Sequence, residues 1–229
     1  MLNARRLKIL AQVVEKYVET AQPVASATIN IGVSPATVRN DMAALERAGY
    51  LRQPHTSAGR VPTELGYRLY LQNFVRFDSS GRPSSQMRNV INNAQTPREL
   101  VREMAKCLTR LSGETALASL DTGWSHHTGI SNLFQKPEFG DVQTLRTISN
   151  IVDKFDDILR DMFGVVDEDV NIWIGGENPF GEQMATLMVK YHLPNGMTGT
   201  LGLIGPLRMN YEKNIKLLGH AKKLLDSEI

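Results

Sequence analysis

Apolar residues in the N-terminal third of the chain recur at spacings of three and four. Leu7, Leu10, Val14 and Tyr17 fall on one face of a helix that Asn3 can cap, ending near Thr20 ahead of Ala21-Gln22-Pro23. A short second helix is expected from Ala25 to about Asn30, broken by Gly32. The third opens on Ser34 as N-cap with Pro35 at its first position, and Gly49 lies just past its end. Then "YLRQPHTSAGRVPT" reads as two extended pieces around a His-Thr-Ser-Ala-Gly-Arg loop, and Thr63 caps a fourth helix to about Phe74. Two helices, a turn, a third helix and a hairpin make a winged helix-turn-helix.

Beyond it the pattern changes. "DSSGRPSS" (78–85) has linker composition, and Leu100, Met104, Leu108 and Leu111 mark an amphipathic helix from Pro97 to about Ser112. "TALASL" (115–120) reads as a strand, and a polar, Gly-containing stretch follows it. One long helical segment is expected from about Asp141 to Phe163. "VNIWIGG", "MATLMVKYHL" and "TGTLGLIG" are strand-like, and a last helix runs from about Tyr211 to Leu225. The fold class is therefore α+β: a winged helix-turn-helix over 1–76, a linker over 77–96, and a sheet domain flanked by helices over 97–229.

The third helix carries the informative face. At 100° per residue, Val38, Met42 and Leu45 form the core sector and Asp41 points toward that side. Opposite lie Ala36, Asn40, Ala43 and Arg47, flanked by Thr37, Arg39 and Ala44. A solvated face usually carries Glu and Lys; alanines let a helix backbone approach a partner closely. Asn pairs bidentately with adenine and Arg with guanine in the major groove. Ser34, Thr37 and the helix N-terminus offer hydroxyls and N–H groups to a phosphate. Beside it, His55, Thr56, Ser57, Gly59 and Arg60 form a basic, hydroxyl-rich wing, with Arg52 at its base. Solvated arginines on an alanine-rich helix are the bland alternative, and the adjoining wing tilts the reading to DNA.

Charge agrees. The net charge of +2 conceals +5 on residues 1–76, with ten Lys/Arg against five Asp/Glu, and −3 on the rest. Cys107, the only cysteine, excludes an internal disulfide and a multi-cysteine zinc site. No apolar run suggests a membrane span, and a cytoplasmic protein without membrane association is expected. His126-His127 lacks metal-ligand spacing and reads as an exposed polar loop. Gly175-Gly176 and "GLIG" lack phosphate-cradling spacing, and no Ser/His/Asp set has a signature, so neither a cofactor nor an enzyme is expected.

The segment "PVASATINIGVSPATVRNDMAALERAGYLRQPHTSAGRVPTELGYRLYL" resembles the N-terminal domain of the heat-inducible transcription repressor family, HrcA; "NLFQKPEF", "IGGEN" and "IGPLRMNY" extend the resemblance toward the C-terminus. It implies a repressor of chaperone operons that binds an inverted-repeat operator in double-stranded DNA as a homodimer, with the chaperonin as a partner that keeps it active. Carried over by position, Thr37, Arg39 and Asn40 would read the operator, and His55, Thr56, Ser57, Gly59 and Arg60 would be the wing. The family's GAF-like domain usually holds an inserted dimerisation domain. Here "TALASLDTGWSHHTGISNLF" joins an early strand directly to a late segment, which implies a reduced GAF-like sheet without most of the insertion. The second helix is also shorter than the family pattern by about one turn. The alternative is a ligand-sensing regulator whose GAF-like domain binds a small molecule.

Overall fold

Capping side chains set the helix starts. In a computed structural model, which describes residues 2–55, 58–76, 80–121 and 123–227, the chain forms two compact units: 1–76 with 207–210, and 77–206 with 211–229. In the first unit Asn3 accepts the Arg6 N–H ahead of α1 (Ala4–Thr20), Ser34 accepts the Thr37 N–H ahead of α2 (Pro35–Arg47), and Thr63 accepts the Gly66 N–H ahead of α3 (Glu64–Phe74). Each side-chain oxygen satisfies a donor that the first helical turn leaves unpaired. Gly49, at φ +80°, lets the chain leave α2, its N–H bonding to Glu46 O and that of Tyr50 to Leu45 O.

The helix expected over Ala25–Asn30 does not form; only Ser26–Thr28 makes a single 3-10 turn. Ala25 and Ile29 are extended on either side of it. The Gln12 amide takes both backbone groups of Asn30, at 3.0 Å each, so they are not free for a helix. Strands β1 (Leu51–Arg52) and β2 (Val61–Pro62) pair antiparallel, and Val24 adds one residue of a third strand through two 2.9 Å bonds to Arg60. Ile9, Leu10, Val13, Val14, Val38, Met42, Leu45 and Tyr67 are buried beneath them.

The second unit begins earlier than the expected domain start at 97. Within the expected linker, Ser84 caps α4 (Ser85–Asn93), which buries Met87 and packs on α5 (Pro97–Ser112) and α9 (Tyr211–Ser227). Five antiparallel strands, β3 (Thr115–Leu120), β4 (Trp124–Thr128), β5 (Asn171–Ile174), β6 (Met184–His192) and β7 (Thr198–Pro206), run in the order β4-β3-β7-β6-β5. The register puts Leu117, Met184, Met188 and Ile204 on one face, against α6 (Ile130–Phe134), α7 (Val142–Val152) and α8 (Phe155–Met162) through Leu133, Ile148, Phe155 and Leu159. Ala185, Leu187, Leu201 and Leu203 are buried on the face turned to α5 and α9.

Two expectations change here. The long helix over 141–163 is two helices: the Asp153 N–H still bonds to Ser149 O, but the Lys154 N–H shifts to Ile151 O and Lys154, at φ −104° and ψ 2°, leaves helical geometry, so that Phe155, Leu159 and Met162 pack on the sheet. The stretch after Leu120 is not a polar loop but the edge strand β4. His126 and His127 are half-buried in it: His127 meets Phe155 edge-on at 5.4 Å, and His126 stacks on Trp124 at 6.0 Å. Burial lowers the His126 pKa, favouring its neutral form. The "FQKPEF" segment is also structural: Lys136 Nζ lies 3.0 Å from the buried Glu114 carboxylate, tying the chain after α6 to the start of β3.

Candidate nucleic-acid interface

Helix α2 presents two chemically distinct faces. Val38, Asp41, Met42 and Leu45 are buried, whereas Ser34, Ala36, Arg39, Asn40 and Arg47 are exposed and Thr37, Ala43 and Ala44 half-exposed. No hydrogen bond or ion pair within the described residues engages the side chains of Arg39, Asn40 or Arg47. The alanines leave the surface around Asn40 low, so a partner can come close to the helix backbone. Ser34 is less available than its sequence position suggests: its oxygen is occupied by the Thr37 N–H at 3.2 Å and lies 3.0 Å from the Thr37 hydroxyl.

What holds this helix in place is Asp41. Its carboxylate is 3% exposed and accepts Arg5 Nε at 2.6 Å and Arg6 Nε at 2.9 Å, fixing the start of α1 against the middle of α2. The hydrogen bond from Arg5 is the main reason its pKa is lowered, so the carboxylate stays charged. The sequence placed Asp41 toward the core without giving it this role. Only its inward position on an otherwise apolar sector signalled that a buried cation partner was needed.

In the wing, structure separates residues that sequence grouped together. Arg60 donates from Nε to Glu46 Oε2 at 2.9 Å, binding wing to α2, rather than standing unpaired at the loop as its place in the sequence suggests. Gly59 has a steric reason to be glycine, since a Cβ there would lie 2.3 Å from Val24 O and 2.4 Å from Val24 C. Gly66 in α3 faces the same constraint, 2.2 Å from Tyr50 O. Thr63 Oγ1 donates to Gly49 O at 2.6 Å while capping α3. Gln53 Nε2 donates to Ala58 O at 2.9 Å and braces the hairpin. His55 is exposed, with its carbonyl accepting the Ala58 N–H. Thr56 and Ser57 lie outside the described residues.

The cations of this unit thus divide. Arg5 and Arg6 serve Asp41, Arg60 serves Glu46 and Arg68 serves Glu64. Arg39, Arg47 and Arg52 are exposed, with no partner among the described residues. Arg39 and Arg60 line one cleft of about 460 Å³ between α2 and the hairpin, along with Ser26, Gln53 and Gly59. An alanine-lined helix face flanked by free guanidinium groups suits a polyanion with readable edges. Among the described residues no group of three or more His, Cys, Asp or Glu is placed to hold a metal ion, and no helix is long and apolar enough to cross a membrane.

Comparison with known proteins bears on both units. The family described as HrcA protein C terminal domain matches residues 68–215. A heat-inducible transcription repressor HrcA from Carboxydothermus hydrogenoformans is 26% identical, with 100% of this chain and 98% of the relative covered. That alignment spans 337 positions against 229 residues here, so at least 108 positions have no counterpart in this chain. A protein of the same name from Streptomyces avermitilis is 43% identical over 122 residues, 51% of this chain and 36% of the relative. A solved crystal structure of a hypothetical protein superposes with a TM-score of 0.74 at 20% identity, covering 98% of this chain and 96% of that one. That last likeness is one of fold.

Proposed function

The chain belongs to the HrcA family, and from that premise we propose that it is a DNA-binding transcriptional repressor of heat-shock genes, reading an operator with α2 and steadying itself with the wing. The observation that carries this reading is the exposed face of Ala36, Asn40, Ala43 and Arg47, whose polar side chains have no partner among the described residues. The relatives' name, heat-inducible transcription repressor, supports it.

The repressor acts as a homodimer on an inverted repeat, with two α2 helices in successive major grooves about 34–36 Å apart. Occupancy of the operator blocks transcription. Activity falls on heating and is tuned by the chaperonin, as the resemblance to other members implies. In this reading Arg47 and Asn40 reach base edges, while Arg52 and the N-terminus of α2 supply phosphate contacts. The ligand-sensor alternative gains no support from the sheet's faces, which are filled by side chains such as Leu117, Phe155, Phe180, Met188 and Leu203, each at most 1% exposed.

Dimethyl sulfate footprinting on the inverted repeat upstream of the chain's own chaperone genes tests the proposal. Protection of guanine N7 atoms in both half-sites is expected, because N7 faces the major groove. Unchanged methylation at saturating protein would contradict a major-groove reading head.

A further inference from the structure

Arg39 and Arg60 belong to one cleft although they come from different elements. Its walls include Val24, Ser26, Arg39, Gln53, Gly59 and Arg60, and among the described residues no carboxylate lines it. Arg60 is positioned from behind by Glu46, which takes Nε and leaves the terminal nitrogens of the fork to other acceptors. Arg39 is exposed on the flank of α2 that adjoins the hairpin, not on the Ala36–Asn40–Ala43 sector. The Ser26 side chain adds a hydroxyl. Two guanidinium groups, one of them already bonded to Glu46 through Nε, form an anion site beside Ser26.

We infer that this cleft takes one backbone phosphate of the DNA, clamped between Arg39 of the reading helix and Arg60 of the wing, so that Arg39 sets register and the bases are left to Asn40 and Arg47. This rests on the DNA-binding reading and refines it. The pairing with Glu46 fixes the Arg60 plane before DNA arrives, so less side-chain freedom is lost on binding. Phosphate contacts carry affinity without sequence information, so the role of Arg39 differs measurably from that of a base reader.

The test uses the full chain, with Arg39→Ala and Arg39→Lys, titrated by fluorescence anisotropy onto the inverted repeat and a scrambled duplex across a salt series. Arg39→Ala should weaken both duplexes by the same factor and reduce the slope of log K against log salt by about one. Arg39→Lys should restore most of both, since a point charge still serves a phosphate. Replacing single phosphates by neutral methylphosphonates should then reveal one position in each half-site that weakens the wild type and leaves Arg39→Ala unaffected. Loss confined to the inverted repeat, unrelieved by lysine, would overturn the inference and make Arg39 a base reader. Unchanged binding by Arg39→Ala would also overturn it, by removing the cleft from the interface. Absence of any wild-type binding would overturn the DNA reading itself and this refinement with it.

Discussion

Gly59→Ala separates a structural glycine from a DNA-contacting one. The added Cβ would sit 2.3 Å from Val24 O, 2.4 Å from Val24 C and 2.7 Å from Val24 N, all backbone atoms that no rotamer change can move. Relief requires the hairpin to leave Val24, which opens the two 2.9 Å bonds between Val24 and Arg60. Each such bond is worth about 1 kcal/mol net, and forced overpacking costs about 1–3 kcal/mol. The smaller conformational freedom of alanine in the unfolded chain returns about 0.4–1 kcal/mol. The balance is a loss of about 2–4 kcal/mol from the first unit. With about 4–8 °C per kcal/mol for a domain of this size, its melting temperature should fall by roughly 10 °C or more. Thermal unfolding followed by circular dichroism, with hydrogen exchange at the Val24 and Arg60 amides, reads this directly. A variant that melts like the wild type, keeps both amides protected and still loses DNA affinity would refute the steric argument and return Gly59 to the DNA surface.

Other expectations follow from the same geometry. Asn40→Ala should cost about 1–3 kcal/mol on the inverted repeat and relax base preference, whereas Arg52→Ala should weaken all duplexes alike; competition binding with point-substituted operators checks both. Asp41→Asn should destabilise the first unit near neutral pH. Because the folded Asp41 pKa is lowered, its contribution is complete above the ordinary carboxylate value of about 3.9 and is lost as pH falls through the folded value. The gap between variant and wild type in urea melts should therefore close in acid. Lys136→Met should destabilise the sheet unit by about 3 kcal/mol, since it removes the cation 3.0 Å from the buried Glu114 carboxylate, and the double variant Lys136→Met/Glu114→Gln should recover much of that in the same melts.

Local signals in the sequence proved as good as the side chains that carried them. Asn3, Ser34 and Thr63 announce helix starts because capping is a contact within three residues, and each accepts the N–H expected of it. "TALASL" and the three later strand-like runs become strands as expected, although their pairing partners are set by the sheet. Where partners are distant, the sequence was silent. Arg60 looks like a free cation until Glu46, fourteen positions earlier, is seen to hold it. Gly59 looks like a flexible loop tip until Val24 is placed against it. Strand β4, with Trp124-Ser125-His126-His127-Thr128, was missed because an edge strand needs little apolar surface to pair with β3. Helix α4 was hidden in linker-like composition, its burial resting on Met87. The break at Asp153-Lys154 carries neither glycine nor proline and is imposed by packing on the sheet.

The central claim is that α2 and the wing, used twice, read an inverted repeat. The most direct measurement is titration of the purified chain onto the full repeat and onto a single half-site at two salt concentrations, with its mass in solution recorded. The account predicts a dimer that binds the full repeat far more tightly than the half-site, with affinity falling steeply as salt rises. Equal, salt-limited binding to both duplexes would contradict it.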